Sequence, residues 1–164
     1  MTVNGGFADR ASAAYRTMNA LLGDKINLDD YDVFTNMKIH FPSLEINGKT
    51  VNYFRADQVL VKVGENADGL IEIEDIIIFE NKLSFGTPLS KNQIEAVKAR
   101  AKLTIGGKND PQITYKSSTR DDGISNDDVE DFLKLGKPLG AKVRFKKVHD
   151  GADGKEVTGI ADLP

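Results

Sequence analysis

The sequence has no cysteine among its 164 residues, which excludes disulfide staples, thiolate zinc sites and a cysteine nucleophile and leaves the redox compartment open. It has no apolar run of membrane-spanning length, so no membrane anchor is expected. The opening MTVNGGFADR lacks both the basic start and the apolar stretch of a signal peptide. Histidine is scarce as well. His40 and His149 are the only two, and His40, in MKIHFPS, reads as a strand residue rather than a general base. What remains is an ordinary globular composition, 40% hydrophobic and 29% charged, long enough to bury a real core as one domain over 1–164. The small, polar, Gly-containing lead after Met1 is expected to mark a cut point in a longer protein.

The net charge of −3 hides an uneven distribution. Residues 81–120 carry eight basic and two acidic side chains, whereas the segments on either side are net acidic. A basic stretch of this kind is read either as a track for a phosphate backbone or as a solvated helix face.

Periodicity divides the chain into elements. Ala11, Tyr15, Met18 and Leu22 recur at helical spacing and Gly23 follows as a stop, which predicts a first helix over 8–22. NMKIHF alternates as a strand, and Asn47-Gly48 in LEINGKTVNYF signals a hairpin turn. In SKNQIEAVKARAKL, Ser90 and Gln93 form a capping box, and Ile94, Val97 and Ala101 make the expected buried face of a second helix. QITYK alternates as another strand. SNDDVEDFLKLG predicts a third helix capped by Ser125, burying Val129, Phe132 and Leu133 and stopping at Gly136. KVRFKKV and KEVTGIADL read as a strand pair around an Asp-Gly-rich turn. No internal repeat or low-complexity tract is visible.

The most informative segment is residues 55–82, RADQVLVKVGENADGLIEIEDIIIFENK. Asp68-Gly69 suits a two-residue type I′ turn, whose central positions both need positive φ. Centring a hairpin there pairs Val61 with Ile76, Val59 with Ile78, Leu60 with Ile77 and Lys62 with Asp75. Close to the turn it opposes Glu65 and Glu72, which predicts fraying or a bulge. Two residues beyond Val59/Ile78, the same register sets Asp57 opposite Glu80, with Lys82 on the same face because strand side chains repeat every second residue. Directly opposed Cβ atoms lie about 5 Å apart. Two carboxylates so placed at the end of an apolar face repel unless one is protonated or a cation lies between them. The plain alternative is an ordinary ion pair of Asp57, Glu80 and Lys82 at a solvated sheet rim. Asp75 reads as the partner of Lys62, and Glu72 and Glu74 as the solvent side of the strand.

An Asp opening one strand of a hairpin and Glu-x-Lys ending the next, here Asp57 and Glu80-Asn81-Lys82, resembles the PD-(D/E)xK nuclease superfamily. The continuation ENKLSFGTPLSKNQ is similar to the toxin domains at the C-termini of bacterial polymorphic toxins, such as contact-dependent inhibition, Rhs and type VI secretion effectors. The resemblance implies an α/β (α+β) fold, a central mixed β-sheet flanked by helices with a restriction-endonuclease-like core. It implies that Asp57, Glu80 and the backbone carbonyl of Asn81 hold Mg²⁺ or Mn²⁺, with Zn²⁺ less suited to hard oxygen ligands. Lys82 would then orient or activate the attacking water, and Gln93 would stand near the active site, its other reading being the capping partner of Ser90. Ser84, Lys91 and Lys98 would face substrate, with Arg100 and Lys102 as further phosphate-neutralising candidates. Many members carry another acid on the first helix, where this chain has only Asp9 at the start, so a second metal site is in doubt.

The same resemblance implies a nucleic acid substrate, with DNA favoured over RNA, and a cognate immunity protein that is acidic where it meets residues 81–120. It implies delivery as part of a larger bacterial toxin that acts in the target-cell cytoplasm. The rivals are a tRNase or other RNase toxin of the same fold, histidine-based nuclease chemistry, a non-catalytic binding or immunity module, and a housekeeping repair or restriction nuclease.

Overall fold

The computed structural model describes residues 13–23, 26–42, 48, 52–82, 84–107, 124–150 and 157–163. Within them the protein is mixed α+β. Helix α1 (Ala13–Leu22) is followed by strands β1 (Asp32–His40), β2 (Tyr53–Glu65) and β3 (Ile71–Lys82). Helix α2 (Lys91–Lys98) leads through a 3₁₀ turn into the short β4 (Thr104–Ile105). Helix α3 (Asn126–Lys134), the short β5 (Lys137–Pro138), β6 (Val143–Asp150) and β7 (Val157–Asp162) complete the described chain. The strands form one seven-stranded sheet in the order β5-β4-β1-β2-β3-β6-β7. All neighbours are antiparallel except β3 and β6, which run parallel.

This topology explains the greasy run before Glu80. Strand β3 is central, and Ile76, Ile77, Ile78 and Phe79 are all buried because both faces of the sheet are covered. On one face Val59, Val61, Ile76, Ile78, Val143 and Phe145 pack with Ala96 of α2 and with Val129 and Leu133 of α3. On the other, Leu60, Ile77, Phe79 and Val148 pack with Tyr15 and Met18 of α1. Each such side chain contributes about 1.5–3 kcal/mol when fully buried, so the β2–β3–β6 centre is the anchor of the molecule.

The β2–β3 register agrees with expectation at Val59/Ile78, Leu60/Ile77, Val61/Ile76 and Lys62/Asp75. The expected conflict between Glu65 and Glu72 is removed by a bulge. The register shifts after Lys62, so that Val63 faces Ile73, Gly64 faces Glu72 and Glu65 faces Ile71. Glu74 is the extra residue, and the shift in parity turns Ile71 and Ile73 onto the same core as Ile76.

The turn itself corrects the type I′ expectation. Of its residues only Gly69 has positive φ, at 75°, and Gly69 N–H donates to the Asn66 carbonyl at 3.0 Å. Asn66 N–H closes the loop on Leu70 at 2.9 Å. Asn66 Oδ1 accepts from the backbone N–H groups of Asp68 and Leu70, so an Asn-anchored turn with a left-handed glycine replaces the two-residue one.

Two further expectations change. Asp75 does not take Lys62 as its side-chain partner. It accepts from Tyr31 and Arg144 on β6, while Lys62 lies 3.9 Å from Glu74. Burial first, then the Asp75 carboxylate, drives the Tyr31 hydroxyl pKa upward. Helix α2 stops at Lys98, and its inward position is Ala96 rather than Ile94 or Ala101: Ile94 is 42% exposed and Ala101 is exposed too.

Helix α3 matches the expected cap and stop, with Val129 and Leu133 fully buried and Phe132 half-buried. Strands β6 and β7 form the expected antiparallel pair. The predicted strand QITYK, the Asn47-Gly48 hairpin apart from Gly48, the start of the first helix and Asp9 lie outside the described residues.

Candidate active site

The site begins at the C-terminal end of β3, where the apolar run gives way to charge. Glu80 is only 2% exposed, so it does not sit at a solvated rim. Strand β2 approaches it from one side. Asp57 Oδ2 accepts from the backbone N–H of Asn81 at 2.7 Å, which fixes that carboxylate against the β3 backbone and beside Glu80. Helix α2 approaches from above the sheet. Gln93 Nε2 donates to Glu80 Oε2 at 2.7 Å, and its Oε1 accepts from Lys82 Nζ at 3.4 Å.

The same Oε1 accepts from the Ser90 backbone N–H at 2.8 Å, while Ser90 Oγ accepts from Gln93 N–H at 3.2 Å. Gln93 thus closes the capping box and bridges Glu80 to Lys82 at once. That requirement also explains the rotation of α2. With Gln93 turned to the sheet, the position three residues on, Ala96, must face inward, and a small side chain there lets helix and sheet approach closely.

The electrostatics follow from this placement. Burial, then the neighbouring Asp57 charge, pushes the Glu80 carboxyl up to about 9, against which Lys82 pulls in the opposite direction. Burial and the Asp57 charge thus favour the protonated form of Glu80. Its Oε1 is buried and meets no hydrogen-bond donor among the described residues. A divalent cation would replace that proton, relieve the repulsion and occupy the orphaned oxygen. The available donors are hard oxygens, the two carboxylates and the Asn81 carbonyl, and they fit a single Mg²⁺ or Mn²⁺ completed by water. Among the described residues no group of three or more His, Cys, Asp or Glu side chains gathers at one point, so an ion held by protein carboxylates alone is not what this site offers.

The other sequence-derived candidates fall elsewhere. The Asn81 side chain turns to the opposite face and donates to Gln58 Oε1 at 2.8 Å. Ser84 is exposed, its hydroxyl 3.2 Å from that of Thr87. Lys91 is exposed in the first turn of α2. Lys98, at the other end of the helix, is exposed and 3.9 Å from Glu95. Arg100 donates to the Leu163 carbonyl at 3.3 Å and lies over the Phe145 ring, so its guanidinium is engaged within the fold. His40 is exposed on β1, 5.8 Å from the Tyr53 ring.

Two residues near the site were not singled out from the sequence. The parallel register of β3 and β6 sets Lys147 beside Glu80 and His149 beside Lys82. Lys147 is 7% exposed, and its ammonium donates to the Phe85 carbonyl at 2.7 Å and to that of Thr87. The alternation Val143, Phe145, Lys147 along β6 carried the signal, since it places a lysine where the apolar series calls for a third core residue. No family model, curated protein or solved structure matches this chain, so the reading of the site rests on its own chemistry.

Proposed function

We propose that this chain is a metal-dependent nuclease of the PD-(D/E)xK type, with a restriction-endonuclease-like core, that hydrolyses phosphodiester bonds in nucleic acid, with DNA as the favoured substrate. The observation that carries the reading is the buried Glu80 held against Asp57, with an orphaned carboxylate oxygen and Lys82 two residues on. A fold does not gain by holding a buried carboxyl group against a second, half-buried one; a cation gives the arrangement a purpose.

Asp57, Glu80 and the Asn81 carbonyl would hold Mg²⁺ or Mn²⁺. When bound, such an ion polarises a phosphate oxygen and acidifies a water. Lys82, steadied by Gln93, orients the attacking water and offsets the negative charge that grows on the phosphate in the transition state. Gln93 keeps the Glu80 and Lys82 side chains in a fixed relation, so little reorganisation accompanies the reaction. The toxin role, the immunity partner and delivery into a target cell belong to the same proposal.

A second reading has one observation in its favour. Gln93 joins Glu80, Lys82 and Ser90 in a connected network, which is what a purely structural polar cluster would also show.

The test is incubation of the purified protein with plasmid DNA and with total tRNA, in EDTA and in Mg²⁺ or Mn²⁺, beside Glu80→Gln. Cleavage that needs the cation and is lost in the variant is expected. Cleavage in EDTA, cleavage by Glu80→Gln, or no cleavage of either substrate overturns the proposal.

A further inference from the structure

The carboxylate pair and Lys82 account for bond cleavage but not for an aromatic ring held beside them. Phe85 is 47% exposed in the turn between β3 and α2, where Thr87 N–H donates to the Ser84 carbonyl at 3.2 Å. The ring is anchored rather than dangling. It rests on Gly159 of β7 so closely that a Cβ there would come within 2.7 Å of Phe85 Cζ. Its centroid is 5.0 Å from the ring of His149, the register partner of Lys82. The carbonyls of Phe85 and Thr87 are both gripped by Lys147. Burying an ammonium is costly unless it is well hydrogen-bonded, and here its bonds go to the two loop carbonyls that fix where Phe85 stands.

Three anchors from two strands thus hold an apolar ring in water, at the end of β3 where Lys82 emerges. An apolar core would have taken the ring in; a flat surface backed by glycine leaves it open. Along the sequence, Lys82 and Lys91 flank the turn, within a segment of eight basic and two acidic residues, and Lys147 lies under it. A flat aromatic surface next to positive charge matches a nucleobase with its phosphate alongside, and proteins that bind single strands use that pairing.

We infer that Phe85, backed by Gly159 and flanked by His149, is a stacking platform for an unpaired nucleobase next to the scissile phosphate, so that the substrate is single-stranded or locally opened. The inference rests on the nuclease reading for the identity of the neighbouring phosphate, and its test separates the two.

The protein has no tryptophan, so Phe85→Trp introduces a sole indole at the platform. Titrated in EDTA with a single-stranded oligonucleotide, that indole should quench saturably. It should bind a duplex of the same sequence about tenfold more weakly, as expected for the loss of one stacked base, and inorganic polyphosphate should leave it unquenched. In parallel, Phe85→Ala should raise KM for a single-stranded substrate about tenfold with kcat changed far less, and Phe85→Tyr should restore it. No quench by the single strand, equal quench by polyphosphate, quench only by a protein partner, or an unchanged KM in Phe85→Ala each overturns the platform. Cleavage without quench removes the platform and leaves the nuclease reading standing. Quench in a protein whose wild type cuts nothing keeps the platform and removes the nuclease reading.

Discussion

Glu80 concentrates the physical tension of the molecule. Glu80→Gln keeps the volume and the contact with Gln93 but removes the charge that burial and Asp57 oppose. In EDTA the variant should melt at or above the wild-type temperature, and it should cut nothing in any metal. Lys82→Met keeps the apolar stem and loses the ammonium; cleavage should disappear while stability shifts by about 1 kcal/mol or less. The wild type should also carry a pH signature. Its Glu80 carboxyl lies at about 9 in the folded protein against an ordinary 4.5, so the folded state binds this proton more tightly than the unfolded one. The stabilisation is full below the lower value and is lost as pH rises towards the upper one. Thermal melts in EDTA across that window should fall for the wild type and stay flatter for Glu80→Gln. Mg²⁺ or Mn²⁺ should flatten the wild-type curve too, by taking the place of the proton. A wild-type curve as flat as the variant's would show that Glu80 is not the strained group described.

At the scale of elements, α2 is a positioning device as much as a packing unit. Its cap residue Ser90 and the bridging Gln93 share one hydrogen-bonded box, so the helix N-terminus and the site are mechanically the same object. Helix α3 carries a comparable box, Ser125 with Asp128, that does not touch Glu80 or Lys82. Removing either cap should cost about 1 kcal/mol of stability. Only Ser90→Ala should also lower kcat, because Gln93 then loses a restraint; Ser125→Ala should leave turnover unchanged. Denaturant melts paired with initial rates measure both quantities. Equal rate losses in the two variants would mean that activity follows global stability and that α2 has no special role.

For the whole molecule, the sheet order brings segments of different charge to one end of β3. The acidic Asp57 and Glu80 come from the N-terminal half, Lys82 from the basic segment, and Lys147 and His149 from the C-terminal strand. Electrostatic complementarity of that kind suits polyanionic substrate and, under the toxin proposal, an acidic blocking partner. Expression of the protein alone in a bacterium should then be toxic, and Glu80→Gln should relieve it at equal soluble yield. Normal growth of cells making soluble wild-type protein would remove the toxin reading while leaving the site geometry untouched.

The sequence alone determined what a few neighbouring residues can settle. The alternation of Val59, Val61, Ile76 and Ile78 with a glycine-containing turn between them specified the β2–β3 register at the site, even though the turn type differed, because sliding by one residue would expose the whole apolar face. Ser90 with Gln93, and Ser125, announced two helix starts for a similarly local reason. Tertiary structure decided the rest. Strand β6 lies parallel to β3 across a long stretch of chain, and no turn chemistry encodes that pairing, so Lys147 and His149 came to the site unannounced. The inward face of α2 was set by Gln93 reaching for Glu80, so that Val97 packs against the core as expected while Ile94, equally apolar, is left exposed. Asp75 left Lys62 for Tyr31 and Arg144 because the backbone register fixes which residues face each other, while side-chain partners depend on every strand and loop packed around them.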